Sequence, residues 1–177
     1  MTTYINIFGG PGVGKSTTAA SLFYNMKRVG VDVELVTEVA KDFVWENRMD
    51  TLTIQPYVTV KQYRNLVRLK GKVDYVITDS PVLHGIIYAN KYATDLPASY
   101  TQFIKDCHNQ ILNPSINIIL ERAYSYDPNG RYQTEAEAHQ LDIDVETLLR
   151  GTDMNYVIIR PDNVAQYIES YISKEIK

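Results

Sequence analysis

Residues 9–16 read Gly9-Gly10-Pro11-Gly12-Val13-Gly14-Lys15-Ser16 and match the pattern G-x-x-x-x-G-K-[ST] without a mismatch. Glycines let successive backbone N–H groups turn toward phosphate oxygens, while the lysine supplies a mobile positive charge. The serine hydroxyl suits Mg²⁺, and the following helix adds the partial positive charge of its N-terminus. The pattern predicts a phosphate-binding loop (P-loop) with candidate nucleotide contacts at Gly10, Gly12, Val13, Gly14, Lys15, Ser16 and Thr17.

Short β-branched or aromatic segments alternate with longer stretches of helical period, which is typical of βαβ units around a parallel sheet. The predicted strands are Tyr4 to Phe8, Val31 to Thr37, Val73 to Thr78, Ile116 to Leu120 and Tyr156 to Ile159. A helix is also predicted from Ser99 to Leu112. The expected fold is α/β, a three-layer P-loop NTPase fold with a parallel five-stranded sheet of order 2-3-1-4-5 and helices on both faces. We expect one domain over residues 1–177, because no repeat or linker divides the chain.

The composition is that of an ordinary globular protein, with 45% hydrophobic and 22% charged residues. A formal net charge of −3 provides no overall positive field for duplex nucleic acid. The single cysteine, Cys107, cannot form an internal disulfide. The N-terminus lacks the features of a signal peptide, and no apolar run has the length of a membrane span, so we expect a cytoplasmic protein without membrane contact.

A carboxylate follows the predicted third strand, where Asp79 comes directly after Thr78. In a P-loop fold this strand lies beside the first, which places Asp79 near Ser16. Because both side chains offer oxygen ligands, we predict that Ser16 and Asp79 hold Mg²⁺ or its water shell. The alternative is that Asp79 only forms a turn or cap.

The residues around the P-loop favour phosphoryl transfer from ATP over hydrolysis or GTP binding. The nearest match to a guanine-reading Asn-Lys-x-Asp is Asn90-Lys91-Tyr92-Ala93, which lacks the aspartate, and Ser80 stands where motor ATPases normally have a glutamate. Glu38 follows the second strand, at the edge where ligands bind in open α/β sheets. There it can orient an acceptor hydroxyl or receive its proton. The alternative is that Glu38 caps the helix that begins at Val39.

One segment interrupts the alternation of strands and helices. Glu121 to Gln133 is rich in polar, Tyr, Pro and Gly residues, and a helix follows it at Thr134. Thr134 and Glu137 have the spacing of a capping box. We expect residues 121–150 to form a lid over the site.

Several segments together resemble one family. They are Gly9 to Thr17, Thr37-Glu38-Val39-Ala40-Lys41, Gln62, Thr78-Asp79-Ser80-Pro81 and Gly130-Arg131-Tyr132-Gln133-Thr134-Glu135-Ala136-Glu137-Ala138. Through these segments, which run through most of the chain, it resembles the NadR-like P-loop kinases. These are nicotinamide riboside kinase relatives of the AAA-type ATP-binding family, common in phages. More distantly, the chain resembles the deoxynucleoside and thymidylate kinases.

The resemblance implies roles for several polar residues. Arg131, and with it Arg122, would close over the phosphates and stabilise charge in the transition state. Gln62 would present its amide to a base edge, while Arg64 or Arg68 would contact a phosphate on the acceptor. The expected catalytic residues are Lys15, Glu38, Asp79 and Arg131, and the expected acceptor-binding residues are Glu38, Gln62 and Arg64.

The chain departs from these relatives at two positions. Several of them have arginine where this chain has Lys41, and the deoxynucleoside kinases have arginine where it has Ser80. Lysine cannot reproduce the bidentate fork of arginine, so the fold and the ATP chemistry carry over better than the acceptor does.

The sequence therefore predicts a Mg²⁺-dependent kinase that transfers the γ-phosphoryl group of ATP to a nucleoside, a nucleotide or a similar small molecule. One alternative is a kinase acting on a polynucleotide or on a modified base, with DNA or RNA as partner. The other, from a different class, is an ATP-binding switch or ATPase module without an acceptor. The oligomeric state stays open.

Overall fold

The computed structural model describes residues 1–127, 133–152 and 154–175. The strands are β1 (Thr3–Phe8), β2 (Val33–Val36), β3 (Tyr75–Thr78), β4 (Ser115–Leu120) and β5 (Tyr156–Ile159). The α-helices are α1 (Lys15–Arg28), α2 (Val39–Trp45), α3 (Met49–Thr53), α4 (Gln55–Val67), α5 (His84–Tyr92), α6 (Ala98–Asp106), α7 (Glu135–Arg150) and α8 (Val164–Glu175). A π-helical turn (Cys107–Ile111) follows α6, and a 3₁₀ turn (Pro161–Asn163) precedes α8. Within these ranges, no helix is both long and apolar enough to span a membrane.

The five strands form one sheet in the order β2-β3-β1-β4-β5, and every neighbouring pair is parallel. The register places Ile5 of β1 between Ile77 of β3 and Ile116 of β4. Because all strands run the same way, their carboxyl ends meet at one edge, where the loops after β1, β2 and β3 converge. The predicted fold class and strand order are confirmed.

Helices on both faces divide the core into two apolar layers. Along β1, Tyr4 and Phe8 belong to one layer and Ile5 and Ile7 to the other, as the period of two in a strand requires. The layer of Tyr4 contains apolar side chains of α4, α5, α6 and α7, whereas that of Ile5 contains side chains of α1 and α8. The P-loop therefore leaves the sheet between the two helical layers.

Several element boundaries differ from the sequence prediction, among them the start of β3 at Tyr75 rather than Val73, and two of the differences have a clear local cause. The second strand begins at Val33 rather than Val31, because the N–H of Val31 donates to the carbonyl of Met26 (3.1 Å) and closes the end of α1. The predicted helix from Ser99 to Leu112 is α-helical only to Asp106. The wider π-helical turn that follows closes with a bond from the N–H of Leu112 to the carbonyl of Cys107 (3.1 Å).

Candidate functional site

The loop between β1 and α1 depends on three glycines. Gly9, Gly12 and Gly14 have φ angles of 141°, 82° and 99°, a region that glycine adopts without strain. Gly14 is the N-cap residue of α1 and carries no side chain to occupy the first N–H groups of the helix. These groups and the helix dipole form an anion-binding site. The predicted nucleotide contacts from Gly10 to Thr17 lie in this loop and in the first turn of α1.

Lys15 begins α1 and folds back over the loop, where its Nζ donates to the carbonyl oxygen of Gly10 at 2.9 Å. Its positive charge acts on the pKa of both Glu38 and His84, in each case in the lowering direction. Lys15 therefore lies between the phosphate loop and the ends of the strands on the β2 side. Ser16 and Thr17, the next two residues, are exposed.

Two carboxylates follow neighbouring strands beside this lysine. Glu38 comes after β2 and Asp79 after β3, and the two strands pair in parallel. Asp79 is 2% exposed, and within the described residues its Oδ1 has no hydrogen-bond partner. Glu38 keeps some solvent contact. Desolvation raises the pKa of its carboxyl above the ordinary value, and the negative charge of Asp79 raises this pKa further. The positive charge of Lys15 acts in the opposite direction. Glu38 therefore interacts electrostatically with both Lys15 and Asp79.

Gln62 caps α2, a role that the sequence left open for Glu38. The buried amide of Gln62 accepts a hydrogen bond from the N–H of Val39 (3.0 Å) and donates to Oγ1 of Thr78 (3.4 Å). Glu38 occupies the N-cap position of α2, but its side chain makes no capping bond. The Gln62 amide therefore links the end of β2 to the end of β3. Arg64 is exposed and lies about 200° round α4 from Gln62. The structure therefore does not bring Arg64 together with Gln62 and Glu38.

On the side of α7, Arg122 contacts the P-loop. Its Nε donates to Oδ2 of Asp142 in α7 at 2.8 Å, and its Nη2 donates to the carbonyl oxygen of Pro11 at 3.0 Å. The other oxygen of Asp142 accepts the N–H of Gly10 at 2.6 Å. The predicted lid residue Arg131 lies outside the described residues. Sequence reasoning missed Asp142, because no spacing in the sequence shows that α7 packs on the loop.

A cavity of about 550 Å³ opens on the β5 side of the P-loop, while Glu38 lies toward β2. Its wall includes a hydrogen bond from the Tyr124 hydroxyl to Oδ1 of Asp162 at 2.7 Å. The lining residues are Gly12, Gly14, Thr17, Thr18, Ser21, Leu22, Tyr124, Pro161, Asp162 and Ala165. Gly12, Gly14 and Thr17 were predicted from the P-loop pattern; for the rest of the lining, the signal in the sequence was the position of Pro161 and Asp162 just after the last strand, at the edge where ligands bind.

His84 and Tyr88 of α5 lie on the side of Glu38. The imidazole of His84 stands edge-on to the ring of Phe8, with centroids 5.3 Å apart, and burial lowers its pKa to about 3. Burial also raises the pKa of Tyr88, and the charge of Glu38 raises it further. Both rings are therefore neutral at physiological pH. They provide an uncharged wall next to a carboxylate.

Comparisons with known proteins agree with this architecture. A family model described as an AAA domain matches residues 4–166. The structure of deoxyadenosine kinase from M. mycoides with the products dCMP and a flexible dCDP bound is 18% identical, with a TM-score of 0.58 and 98% of each chain covered. The same enzyme with bound dATP is 19% identical, with a TM-score of 0.57, covering 98% of this chain and 100% of that one. No curated protein sequence gives a significant match.

Proposed function

Since the chain belongs to the AAA domain family, we propose that it is a P-loop kinase that transfers the γ-phosphoryl group of ATP to a small nucleoside-like acceptor. The two similar structures belong to a deoxyadenosine kinase with nucleotides bound, which supports an acceptor of this class. Neither concerns a nicotinamide riboside kinase. We therefore propose no acceptor more specific than a nucleoside, a nucleotide or a similar molecule.

One observation carries the proposal: a second carboxylate, Glu38, lies beside the P-loop lysine with its side chain uninvolved in helix capping. A site that only binds ATP has no need of a carboxylate on this side of Lys15, and the position where motor ATPases normally have their water-polarising glutamate is Ser80 in this chain. A carboxylate with a raised pKa is closer to the pKa that suits a general base at neutral pH. Glu38 is therefore the proposed base or anchor for the acceptor hydroxyl.

The nucleotide is proposed to lie across the P-loop with its base in the 550 Å³ cavity. The phosphates would rest on the N–H groups at the start of α1, and the cavity continues from Gly12, Gly14 and Thr17 toward Tyr124 and the end of β5. This direction leaves the γ-phosphate end toward Lys15 and Glu38. The acceptor then approaches from the β2 side.

The chain offers oxygen ligands for Mg²⁺ at Ser16 and Asp79. The buried, unpartnered Oδ1 of Asp79 fits such a role, since a hard cation prefers carboxylate and hydroxyl oxygens. Among the described residues, no three His, Cys, Asp or Glu side chains cluster to hold a metal on their own. Mg²⁺ that binds together with the phosphates needs only one or two protein ligands and would neutralise developing charge on them.

In the proposed reaction, the acceptor oxygen forms a bond to the γ-phosphorus while the bond between that phosphorus and the bridging oxygen of ADP breaks. Glu38 accepts the proton of the acceptor hydroxyl. Lys15, with Arg122 and Arg131, neutralises the phosphate oxygens as charge develops on them. The residues act mainly by position and charge, as is general for phosphoryl transfer.

One feature of α4 favours a second candidate, a kinase acting on a nucleic-acid strand. Tyr57, Lys61, Arg64 and Arg68 lie on the helix face opposite its buried residues, and residues 41–72 carry seven Lys or Arg against three Asp or Glu. The whole chain has a net charge of −3. An aromatic ring followed by cations along one face suits a single strand, whose bases stack and whose phosphates pair.

A transfer assay with radiolabelled ATP and Mg²⁺ over nucleosides, nucleotides and oligonucleotides distinguishes the two candidate functions. We expect label on a nucleoside or nucleotide. The double variant Arg64→Glu/Arg68→Glu should keep this activity, because both side chains point away from the cluster around Glu38. Label on oligonucleotides alone, lost in this double variant, would instead support the nucleic-acid candidate. ATP hydrolysis without transfer to any acceptor would indicate an ATPase module and contradict the proposal.

A further inference from the structure

The side chain of Asp142 joins the lid helix α7 to the P-loop through both carboxylate oxygens. One oxygen accepts the N–H of Gly10 at 2.6 Å, and the other accepts Nε–H of Arg122 at 2.8 Å. The bond from Arg122 is within the range of charge-assisted hydrogen bonds, and the bond from Gly10 is slightly shorter. One carboxylate therefore fixes the loop backbone and an arginine at the same time.

The backbone of α7 lies close to this part of the loop. A Cβ atom on Gly10 would come within 2.5 Å of the carbonyl oxygen of Ala138 and 2.8 Å of Oδ1 of Asp142. No side chain fits at that position without movement of α7. Gly10 thus permits the contact that brings Asp142 onto the loop.

Arg122 is held at two points and leaves its third nitrogen facing the loop. Asp142 takes Nε–H and the carbonyl of Pro11 takes Nη2–H. In the part of the chain that the structure describes, the buried Nη1 has no hydrogen-bond partner. Nη1 lies 3.4 Å from the position that a Cβ atom on Gly12 would occupy. Because the guanidinium is planar, its two fixed nitrogens determine where Nη1 points.

Burial makes this geometry selective. The side chain of Arg122 is 11% exposed and that of Asp142 is 23% exposed. A buried cation with an unpartnered N–H group interacts strongly with an anion that approaches it, and the P-loop is built to receive phosphate oxygens. The two bonds that fix Arg122 leave the N–H groups of Nη1 available for a ligand oxygen beside Gly12.

We propose that Asp142 is a positioning residue for nucleotide phosphate recognition: it orients Arg122 so that Nη1 donates to a phosphate oxygen of ATP held on the P-loop. The inference rests on the proposed function only in that ATP is the ligand. Asp142 itself touches neither nucleotide nor acceptor. It acts through Arg122, and its hydrogen bond to Gly10 holds the loop in position relative to that arginine.

The test compares the affinities of the full chain for ATP and for adenosine, measured by competition against a fluorescent ATP analogue. The proteins are the wild type, Asp142→Asn, Arg122→Ala, the double variant and Asp144→Asn. Asp144 is a matched control, because it lies on α7 and accepts a hydrogen bond only from Gln140 among the described residues. A melting curve for each protein shows that it is folded.

We expect Asp142→Asn and Arg122→Ala each to weaken ATP binding about tenfold or more, the scale of a hydrogen bond to a charged group. Adenosine, which lacks phosphates, should lose less than about twofold. The double variant should bind ATP no more weakly than Arg122→Ala, since residues that act as a unit are not additive. Asp144→Asn should match the wild type.

Two results would overturn the inference. The first is a loss of ATP affinity in the double variant that equals the product of the two single-variant losses. The second is an equal loss of affinity for ATP and for adenosine in Asp142→Asn. If Asp142→Asn does not fold, Arg122→Lys decides the matter. Lysine keeps the charge beside Asp142 but not the fork, so it should weaken ATP binding as Arg122→Ala does. Wild-type affinity in Arg122→Lys would contradict the inference. A chain that binds ATP but transfers phosphate to no acceptor would defeat the proposed function alone.

Discussion

Single hydrogen bonds decide which side chains at this site are available to an acceptor. The amide of Gln62 bonds to Val39 and Thr78, so its carbonyl and one N–H already have partners in the protein. Because Gln62 caps α2, Glu38 does not. At the level of residues, Gln62, which the resemblance assigned to a base edge, instead caps α2, and Glu38, for which capping was the alternative role, makes no capping bond and stays the proposed group for the acceptor.

Glu38→Gln should lower kcat for transfer by about 10²-fold or more, because the amide cannot accept the acceptor proton. ATP affinity should stay near the wild-type value, since Glu38 lies on the acceptor side of Lys15. Steady-state transfer kinetics and ATP titration measure the two effects. Glu34→Gln is the matched control, because Glu34 lies on β2, its side chain is 45% exposed, and it pairs with Lys27 at 3.3 Å. An unchanged kcat in Glu38→Gln would indicate that Glu38 has a structural rather than a catalytic role.

The pH dependence of stability gives an independent check on Glu38. Its pKa in the folded protein is raised above the ordinary value of 4.5, so its contribution to stability is present below that value and is lost as pH rises through the folded pKa. Urea unfolding should therefore show Glu38→Gln gaining stability relative to the wild type as pH increases. If the difference in unfolding free energy between Glu38→Gln and the wild type stayed constant from pH 4 to pH 8, the pKa of Glu38 would not be raised.

At the level of elements, local patterns predicted what depends on local chemistry. The capping box at the start of α7 is confirmed, with the N–H of Glu137 bonded to Thr134 Oγ1 and the N–H of Thr134 bonded to the Glu137 carboxylate. The capping pattern predicted where α7 begins but not its packing on Gly10. Asp142 therefore escaped prediction, although it follows the buried Leu141, because a contact between distant segments leaves no periodic trace.

For the lid, the proposed role of Arg131 predicts a change in chemistry rather than in binding. Arg131→Ala should lower kcat by roughly 10³-fold or more, the scale of an arginine that stabilises phosphoryl transfer. ATP binding and the melting temperature should remain close to those of the wild type. Arg150→Ala is the control, because Arg150 ends α7 and pairs with Glu146 at 2.6 Å near the surface. Loss of ATP affinity with an unchanged kcat would instead assign Arg131 to ground-state binding.

At the level of the whole molecule, the parallel sheet brings the parts of the site to one edge. The P-loop leaves the central strand β1, the cavity proposed for the base lies toward β5, and Glu38 and Asp79 lie toward β2 and β3. The sequence predicted this strand order through the P-loop and so predicted the side of the acceptor. It did not predict the cavity, because the shape of a pocket depends on how Tyr124 and the residues after β5 pack together.

The measurement that tests the central claim most directly is transfer of the γ-phosphoryl group from radiolabelled ATP by the wild type and by Lys15→Ala. Lys15 makes its hydrogen bond to Gly10 within the phosphate loop and belongs to neither apolar core layer, so its loss should leave the fold intact. Lys105→Ala in α6 serves as the control. The account predicts that the wild type and Lys105→Ala label a nucleoside-like acceptor while Lys15→Ala, still folded, loses several orders of magnitude in turnover. Undiminished transfer by Lys15→Ala, or a wild type that binds ATP yet labels no acceptor, would contradict it.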